Sequence, residues 1–361
     1  MGTSVSDVVT STPSVWGAAN AATAAVVYPL AAIAAVPLAT LVSDPAQMWH
    51  AGQRYAGIAE QIRSAGAEMA QAVNHHAGAD HWTEHGKDAF VATRVKPYQA
   101  TLEQAATMYD TIDSTLKGCA VGYTAVGLSS ALIGSAVLSY VASLLALASV
   151  PAPGLNAPAV YLANARMVEA GAVVRGLVSG MAKVNGVATA ILGRLTAELG
   201  SSTAVLATLG AGGAGTGGYY VGARAVPSFE DTRTVLDWPR QLPPGASLPP
   251  GYRAPSAADK DAIKKIDPAS IKALGKDLDA GAARTLGAAY EAARGNDVGY
   301  PGFGVVGLHI AHAHSVMRDH AAQQLAASRD TPGTWLPGLR TSADNWIFAE
   351  EANVKNTRHG R

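Results

Sequence analysis

Apolar residues recur along this chain at alternating steps of three and four in two stretches separated by a short polar break. The first stretch carries Tyr55, Ile58, Ile62, Ala65, Met69 and Ala72. The second carries Val91, Val95, Tyr98, Leu102, Ala105, Tyr109, Ile112 and Leu116. Such spacing puts one apolar stripe on one face of a helix. Two matched stripes joined by a bend predict an antiparallel helical hairpin. Asp44-Pro45 supplies an N-cap followed by proline at the first helical position, so the first arm is expected to start there and to end near Asn74. Pro97 is expected to kink the second arm. The bend, HWTEHGKDAF at residues 81–90, holds Trp82, Gly86 and Phe90. An indole there can cover the crossing of two helices as the pin of the hairpin, or serve as an ordinary core tryptophan.

The pattern changes on either side. Residues 1–13 are Ser/Thr-rich and expected to be unstructured. No residue from Val8 to Ser43 is charged, and Pro29 and Pro37 are expected to cut this Ala-rich segment, 1–43, into pieces of about two turns. It reads as a packing segment or as a membrane-associating leader. Charge is absent again from Gly118 to Ala165. Residues 120–150 have the length and hydropathy of a transmembrane helix, yet are diluted by Gly, Ser and Thr and lack a flanking basic cluster, so a buried bundle helix competes with a span. A turn at Pro151-Ala152-Pro153-Gly154 leads to a second long helix, roughly 157–199, with Leu162, Val173, Leu177, Val184, Val187, Ile191, Leu195 and Leu199 on or near one face.

Residues 209–260 form a linker by composition, Gly-rich first and Pro-rich afterwards. It separates a hairpin-plus-apolar-helix domain, 44–208, from a C-terminal helical domain, 261–355. That second domain opens with the same cap chemistry, Asp267-Pro268, and places Ile271, Leu274, Leu278, Ala282, Leu286 and Ala289 on one helix face. The turn NDVGYPGFG follows, then a helix through Val306, Ile310, Met317, Ala321 and Leu325, and a third helix from about Thr334.

Composition narrows the class. Aromatics are 6% and strand-spaced β-branched clusters are nearly absent, so the expectation is an all-α chain: an antiparallel hairpin extended by long apolar helices, a Gly/Pro-rich linker and a second small helical hairpin domain. Lys+Arg 27 balance Asp+Glu 27, which removes the electrostatic case for nucleic acid. Cys119 is the sole cysteine, so no internal disulfide and no thiolate metal site are expected. No Lys or Arg precedes Arg54, so the apolar start does not read as a Sec signal and any export would take another route.

With these residues in place, the region from Asp44 to Leu116 resembles the WXG helical-hairpin family of type VII (ESX) secretion, with Trp82, Gly86 and Phe90 at the positions of that family's Trp, Gly and Phe. Three residues separate Trp82 from Gly86, where the tight form of the motif has one; this is similar to the longer secretion-associated relatives. Type VII substrates carry a Tyr-x-x-x-Asp/Glu export signal, and Tyr109 with Asp113 matches it, sharing one helix surface. Tyr109 equally fits the seam as a core residue. The C-terminal stretch resembles small ESX secretion-associated proteins, which have a hairpin, a Pro-x-Phe-Gly-x-x-Gly turn and a terminal Tyr-x-x-x-Asp/Glu. Pro301, Phe303, Gly304 and Gly307 match the turn, and Trp346 and Glu350 stand in for the terminal pair. The resemblance implies a secreted or cell-surface, non-enzymatic protein that associates with a WXG-type companion, an export chaperone or itself, with membrane contact open and no cofactor.

Other chemistry is weaker. Gly302 to Gly307 spell Gly-x-Gly-x-x-Gly, but no strand or βαβ unit frames a dinucleotide site. Histidines cluster at His75, His76, His81 and His85 and at His309, His312, His314 and His320. His309 and His312 share a helix face and need one more ligand for a metal, so a His-dependent metalloenzyme stands as a remote rival. Clustered histidines also suit a pH-dependent interface. No nucleophile elbow, P-loop lysine or framed carboxylate pair is present; Glu350 and Glu351 point apart on a helix. The second rival is a membrane-inserting or pore-forming protein built on residues 120–150 and the Ala-rich start.

Overall fold

The computed structural model describes residues 12–78, 82, 87, 90–149, 156–211 and 267–359; most of these are helical and no strand occurs among them. In chain order the helices are α1 Thr12–Val27, a 3-10 turn Pro29–Ala31, α2 Ala32–Thr40, α3 Pro45–His76, a π-helical turn Val91–Val95, α4 Lys96–Ala148, α5 Asn156–Ala211, α6 Pro268–Ala280, α7 Ala282–Arg294 and α8 Leu308–His359. The expectations for residues 1–11, for His81, Gly86 and the Pro151–Gly154 turn, and for most of the linker fall outside the described residues; of the linker's start, residues 209–211 continue α5.

The helix starts follow from their caps. Asp44 accepts from the Gln47 N–H through Oδ1 at 3.3 Å and from the Gln47 side chain through Oδ2 at 2.9 Å. Asp267 accepts from the Ala269 N–H at 3.0 Å, with Pro268 at the first helical position. Each carboxylate thereby satisfies a donor that an α-helix leaves open at its start.

The chain forms two compact units, each assembled from three stretches. Unit 1 comprises Met1–Gly57, Met108–Glu198 and Ala292–His320; unit 2 comprises Ile58–Thr107, Leu199–Glu291 and Ala321–Arg361. Each therefore draws on segments from both sides of the Gly/Pro-rich stretch, and α3, α4, α5, α7 and α8 contribute to both.

In unit 1, α3 and α4 run antiparallel. Trp49 meets Lys117, Gly52 lies against Asp113, and Tyr55 packs on Tyr109 with ring centroids 6.0 Å apart. The α1 helix crosses α4 at backbone contact. A methyl group on Gly17 would overlap the Ser130 carbonyl, and one on Gly134 would overlap the Gly17 carbonyl. Small residues let the two axes approach this closely. Below that crossing, Ala24, Ala31, Ala34, Val137, Val141 and Met167 form a core cluster.

In unit 2, α3 and α4 are again antiparallel: Arg63 pairs with Glu103 at 3.4 Å, and the Gln99 amide donates to the Gly66 carbonyl at 3.3 Å. The apolar face of α6 and α7, Ile271, Leu274, Leu278, Ala282, Leu286 and Ala289, is buried, and Gly281 separates the two helices.

Four local expectations are corrected. Pro29 ends α1 but leaves it 16 residues long, and Pro37 lies inside α2 instead of ending it. The predicted kink at Pro97 takes the form of the π-helical turn just before it, where the Lys96 N–H donates to the Val91 carbonyl; the second arm then continues without a break through the apolar stretch as one helix of 53 residues. On α5 the buried stripe is displaced from the predicted face: Ala163, Met167, Val174, Met181, Ala188 and Leu192 are buried with Leu195 and Leu199, while Leu162, Val173, Val184 and Val187 are exposed. Finally, α8 is one helix of 52 residues with Pro332 and Pro337 inside it, where two helices were expected. A proline cannot bond the carbonyl four residues earlier. For Pro332 that carbonyl belongs to Ser328, and the Tyr98 hydroxyl donates to it at 2.6 Å.

Candidate interaction sites

Five features compete for a role. At the bend, Trp82 is buried and stacks on Phe90 with centroids 6.4 Å apart. Phe90 in turn meets the edge of Trp335 at 5.8 Å, and Trp335 meets Tyr98 at 5.4 Å. Trp82 and Phe90 thus join an aromatic chain that passes through Trp335 on α8 and ends at Tyr98 on α4. Trp335 Nε1 donates to the Leu209 carbonyl at 3.2 Å, and Arg94 Nη1 donates to the same oxygen at 2.8 Å. Leu209 lies in the last turn of α5, where carbonyls lack intrahelical partners and a cation is favoured. Burial holds the Arg94 guanidinium below its ordinary pKa. This cluster is a packing and capping device.

Neither Trp335 nor Arg94 stood out in the sequence. A signal for Trp335 was present: Met317, Ala321, Gln324, Ser328, Thr331, Trp335 and Leu339 are all buried at helical spacing that runs straight through Pro332.

The turn at Pro301 docks within unit 1 on the connection between α2 and α3. The Asp44 N–H donates to the Gly302 carbonyl at 2.7 Å, and the Val306 N–H to the Thr40 carbonyl at 3.4 Å. Gly304 has φ +63°, and a side chain there would strike the Val42 carbonyl; at Gly307 one would strike the Phe303 carbonyl and the Tyr123 hydroxyl. Tyr123 donates to Asn185 Oδ1 at 3.1 Å, and Asn185 Nδ2 donates to the Val306 carbonyl at 2.9 Å. Phe303 is buried 5.9 Å from the His314 ring. The two motif glycines are required by contact within the unit.

The first candidate signal is largely internal. Tyr109 is buried, and burial drives its phenol well above its ordinary pKa. Asp113 is ion-paired with Lys117 at 2.7 Å. At the second, Trp346 is half-buried on α8, and Glu350 follows on the same helix.

The histidines divide by environment. His309 and His312 are exposed, whereas His314 is buried, 3.5 Å from the Tyr55 hydroxyl. Burial, helped by the Arg318 charge and opposed by Asp297, pushes His314 down to about 4. His76 pairs with Asp277 at 2.7 Å. No group of three His, Cys, Asp or Glu side chains able to hold a metal occurs among the described residues. Cys119 is buried, and burial pushes its thiol up to about 11, which keeps it in the unreactive protonated form.

The fifth feature is apolar surface. Residues Pro29–His76 and Val91–Leu147 contain windows long and apolar enough to cross a membrane by length and composition. Exposed apolar side chains on this part of the chain include Val36, Leu128, Leu132 and Leu145. Comparison with known protein families, curated proteins and solved structures finds no match to this chain.

Proposed function

We propose that this chain acts by association, as a secreted or cell-surface helical protein of a type VII (ESX) secretion system. The observation that carries the reading is the bend: Trp82 stacked on Phe90, with α3 and α4 antiparallel and their heptad-like stripes buried. A WXG-like hairpin needs this combination, in which the indole seals the turn while the seams supply the folding energy. The partners are a WXG-type companion, an export chaperone or a second copy.

Between the two candidate signals, the second fits recognition better. A partner can read the aromatic of such a pair only where it reaches the surface. The buried Tyr109 is committed to the core, and Asp113 to Lys117. Trp346 retains partial exposure near the end of α8.

The test is fractionation of the native host with and without its type VII ATPase. The reading expects the protein outside the cell only when the ATPase is present. Export that persists without the ATPase, or no export in either strain, would sink it. Trp346→Ala is then expected to abolish export while leaving the purified protein folded. Tyr109→Phe, which keeps the ring in the core, is expected to leave export unchanged.

A further inference from the structure

On α5 one apolar stripe is buried and a second is left open. The second holds much of the face predicted from the sequence and runs through Val173, Leu177, Gly180, Val184, Val187 and Ile191, at steps of four and three. Val173, Val184 and Val187 are exposed, Val187 by 63%, and Leu177 and Ile191 are half-buried. All of these residues lie within unit 1. Such steps suit a helix as partner, with knobs set into holes. Lipid fits worse, because the exposed Arg175 and Lys183 lie off the stripe on the same length of helix. Gly180 marks a place of close approach. Glycine weakens a helix interior relative to alanine, and a Cβ there would meet no described residue beyond its own helix turns within 4 Å.

The charges at the two ends of the stripe select the occupant. Arg166 and Glu169 precede Val173 on the same face, and Arg194 and Glu198 follow Ile191 on it. Each pair is closed within the helix, at 2.7 Å and 2.8 Å. Arg166 and Glu198 lie equally far from Ala182, and so do Val173 and Ile191, Leu177 and Val187, and Gly180 and Val184; Glu169 and Arg194 do so to within one residue. We propose that this face of α5 binds the same face of a second copy of the chain, antiparallel, about a two-fold axis near Ala182. Arg166 then meets Glu198 of the second copy, Glu169 meets its Arg194, and Val184 fills the space over its Gly180, with every contact repeated across the axis. A parallel pairing in register sets like charges against each other at both ends.

Exposed ion pairs add little affinity, so the charges choose orientation and register while the apolar stripe supplies the attraction. From Arg166 to Glu198 the helix runs about 48 Å, and at a width of about 10 Å a face of that length covers about 480 Å² on each copy. That is below the roughly 800 Å² per partner of a standard interface and belongs with the weak, reversible contacts. The dimer is therefore expected to form in the micromolar range. Lys183, at the edge of the stripe beside the axis, faces its own counterpart, and its long stem carries the ammonium out to water. The pairing requires nothing of the type VII reading.

The test is analytical ultracentrifugation of the full chain over a concentration series, with cross-linking by a short bis-maleimide in a Cys119→Ser background. The unaltered chain is expected to pass from monomer to dimer through the micromolar range. Gly180→Leu should weaken the dimer about tenfold or more by overfilling the centre of the contact, with helicity and urea midpoint undiminished. Arg194→Glu and Glu169→Arg should each weaken it, and a mixture of the two variants should restore it, because opposite charges then meet at both ends. Val173→Cys mixed with Ile191→Cys should cross-link. Val173→Cys alone should not, since antiparallel copies hold its two thiols about 27 Å apart. A chain that stays monomeric throughout the micromolar range overturns the proposal. So does a dimer that Gly180→Leu leaves intact, which places the contact elsewhere, or one in which Val173→Cys cross-links to itself, which marks a parallel pairing. If Gly180→Leu fails to fold, the cross-linking pattern still decides. Assembly of the purified protein and export from the host are separate readouts, so failure of one leaves the other standing.

Discussion

Tyr98→Phe removes one hydroxyl group from the core of unit 2. Tyr98 is fully buried, and burial holds its phenol well above its ordinary pKa, so the group is a neutral donor. Its acceptor is the Ser328 carbonyl at 2.6 Å, in a residue that is itself fully buried. The helix cannot supply another donor, because the residue four positions on is Pro332. The variant keeps the ring against Trp335 and leaves the carbonyl unpaired. A buried polar group without a partner costs about 1–3 kcal/mol, and that is the expected loss in urea unfolding. Pro332→Ala restores an N–H aimed at the same carbonyl. In that background Tyr98→Phe should cost about 0.5 kcal/mol or less, giving a coupling energy of at least about 0.5 kcal/mol across the double-mutant cycle. Equal losses in both backgrounds would refute the account of how α8 passes its proline.

Gly304→Ala should destabilise unit 1 by about 1–3 kcal/mol, because φ +63° is strained for an L side chain and the methyl would strike the Val42 carbonyl; an unchanged urea midpoint would contradict the docked turn. Trp82→Ala should cost about 3–5 kcal/mol by emptying the buried site against Phe90, with Trp82→Phe costing less, both read by denaturation. His314 supplies a pH signature. Its pKa falls from an ordinary 6.5 to about 4 on folding, so between those values the unfolded chain binds more protons. Its contribution is full above pH 6.5 and is lost as pH falls toward 4, a range worth about 3 kcal/mol. Stability measured across that window should flatten in His314→Gln; an unaltered slope would place the titration elsewhere.

Much of the all-α architecture was legible because a helix seam is a local pattern. The stripes from Tyr55 and from Val95 repeat every three or four residues, and the same spacing buries them. Asp44-Pro45 and Asp267-Pro268 announced their helices for the same reason, since a cap needs only the next few residues. Prediction failed where the partner was remote. Pro332 reads as a helix end until Tyr98, far away in sequence, takes up the Ser328 carbonyl. On α5, Val and Leu occupy several faces, so composition could not say which stripe would be covered.

The candidate sites divide in the same way. The sequence by itself determined the helical class and the two stretches without charge. Each is a matter of residue type and spacing over a few turns. Only the tertiary structure decided that Tyr109 belongs to a core, that Pro301 to Gly307 is docked within unit 1, and that an aromatic chain links Trp82 through Phe90 and Trp335 to Tyr98. It also decided that each compact unit combines segments from both ends of the chain. The physical reason is that burial and hydrogen-bond partnership belong to pairs of surfaces. A sequence shows what each surface offers, and packing determines which one it meets.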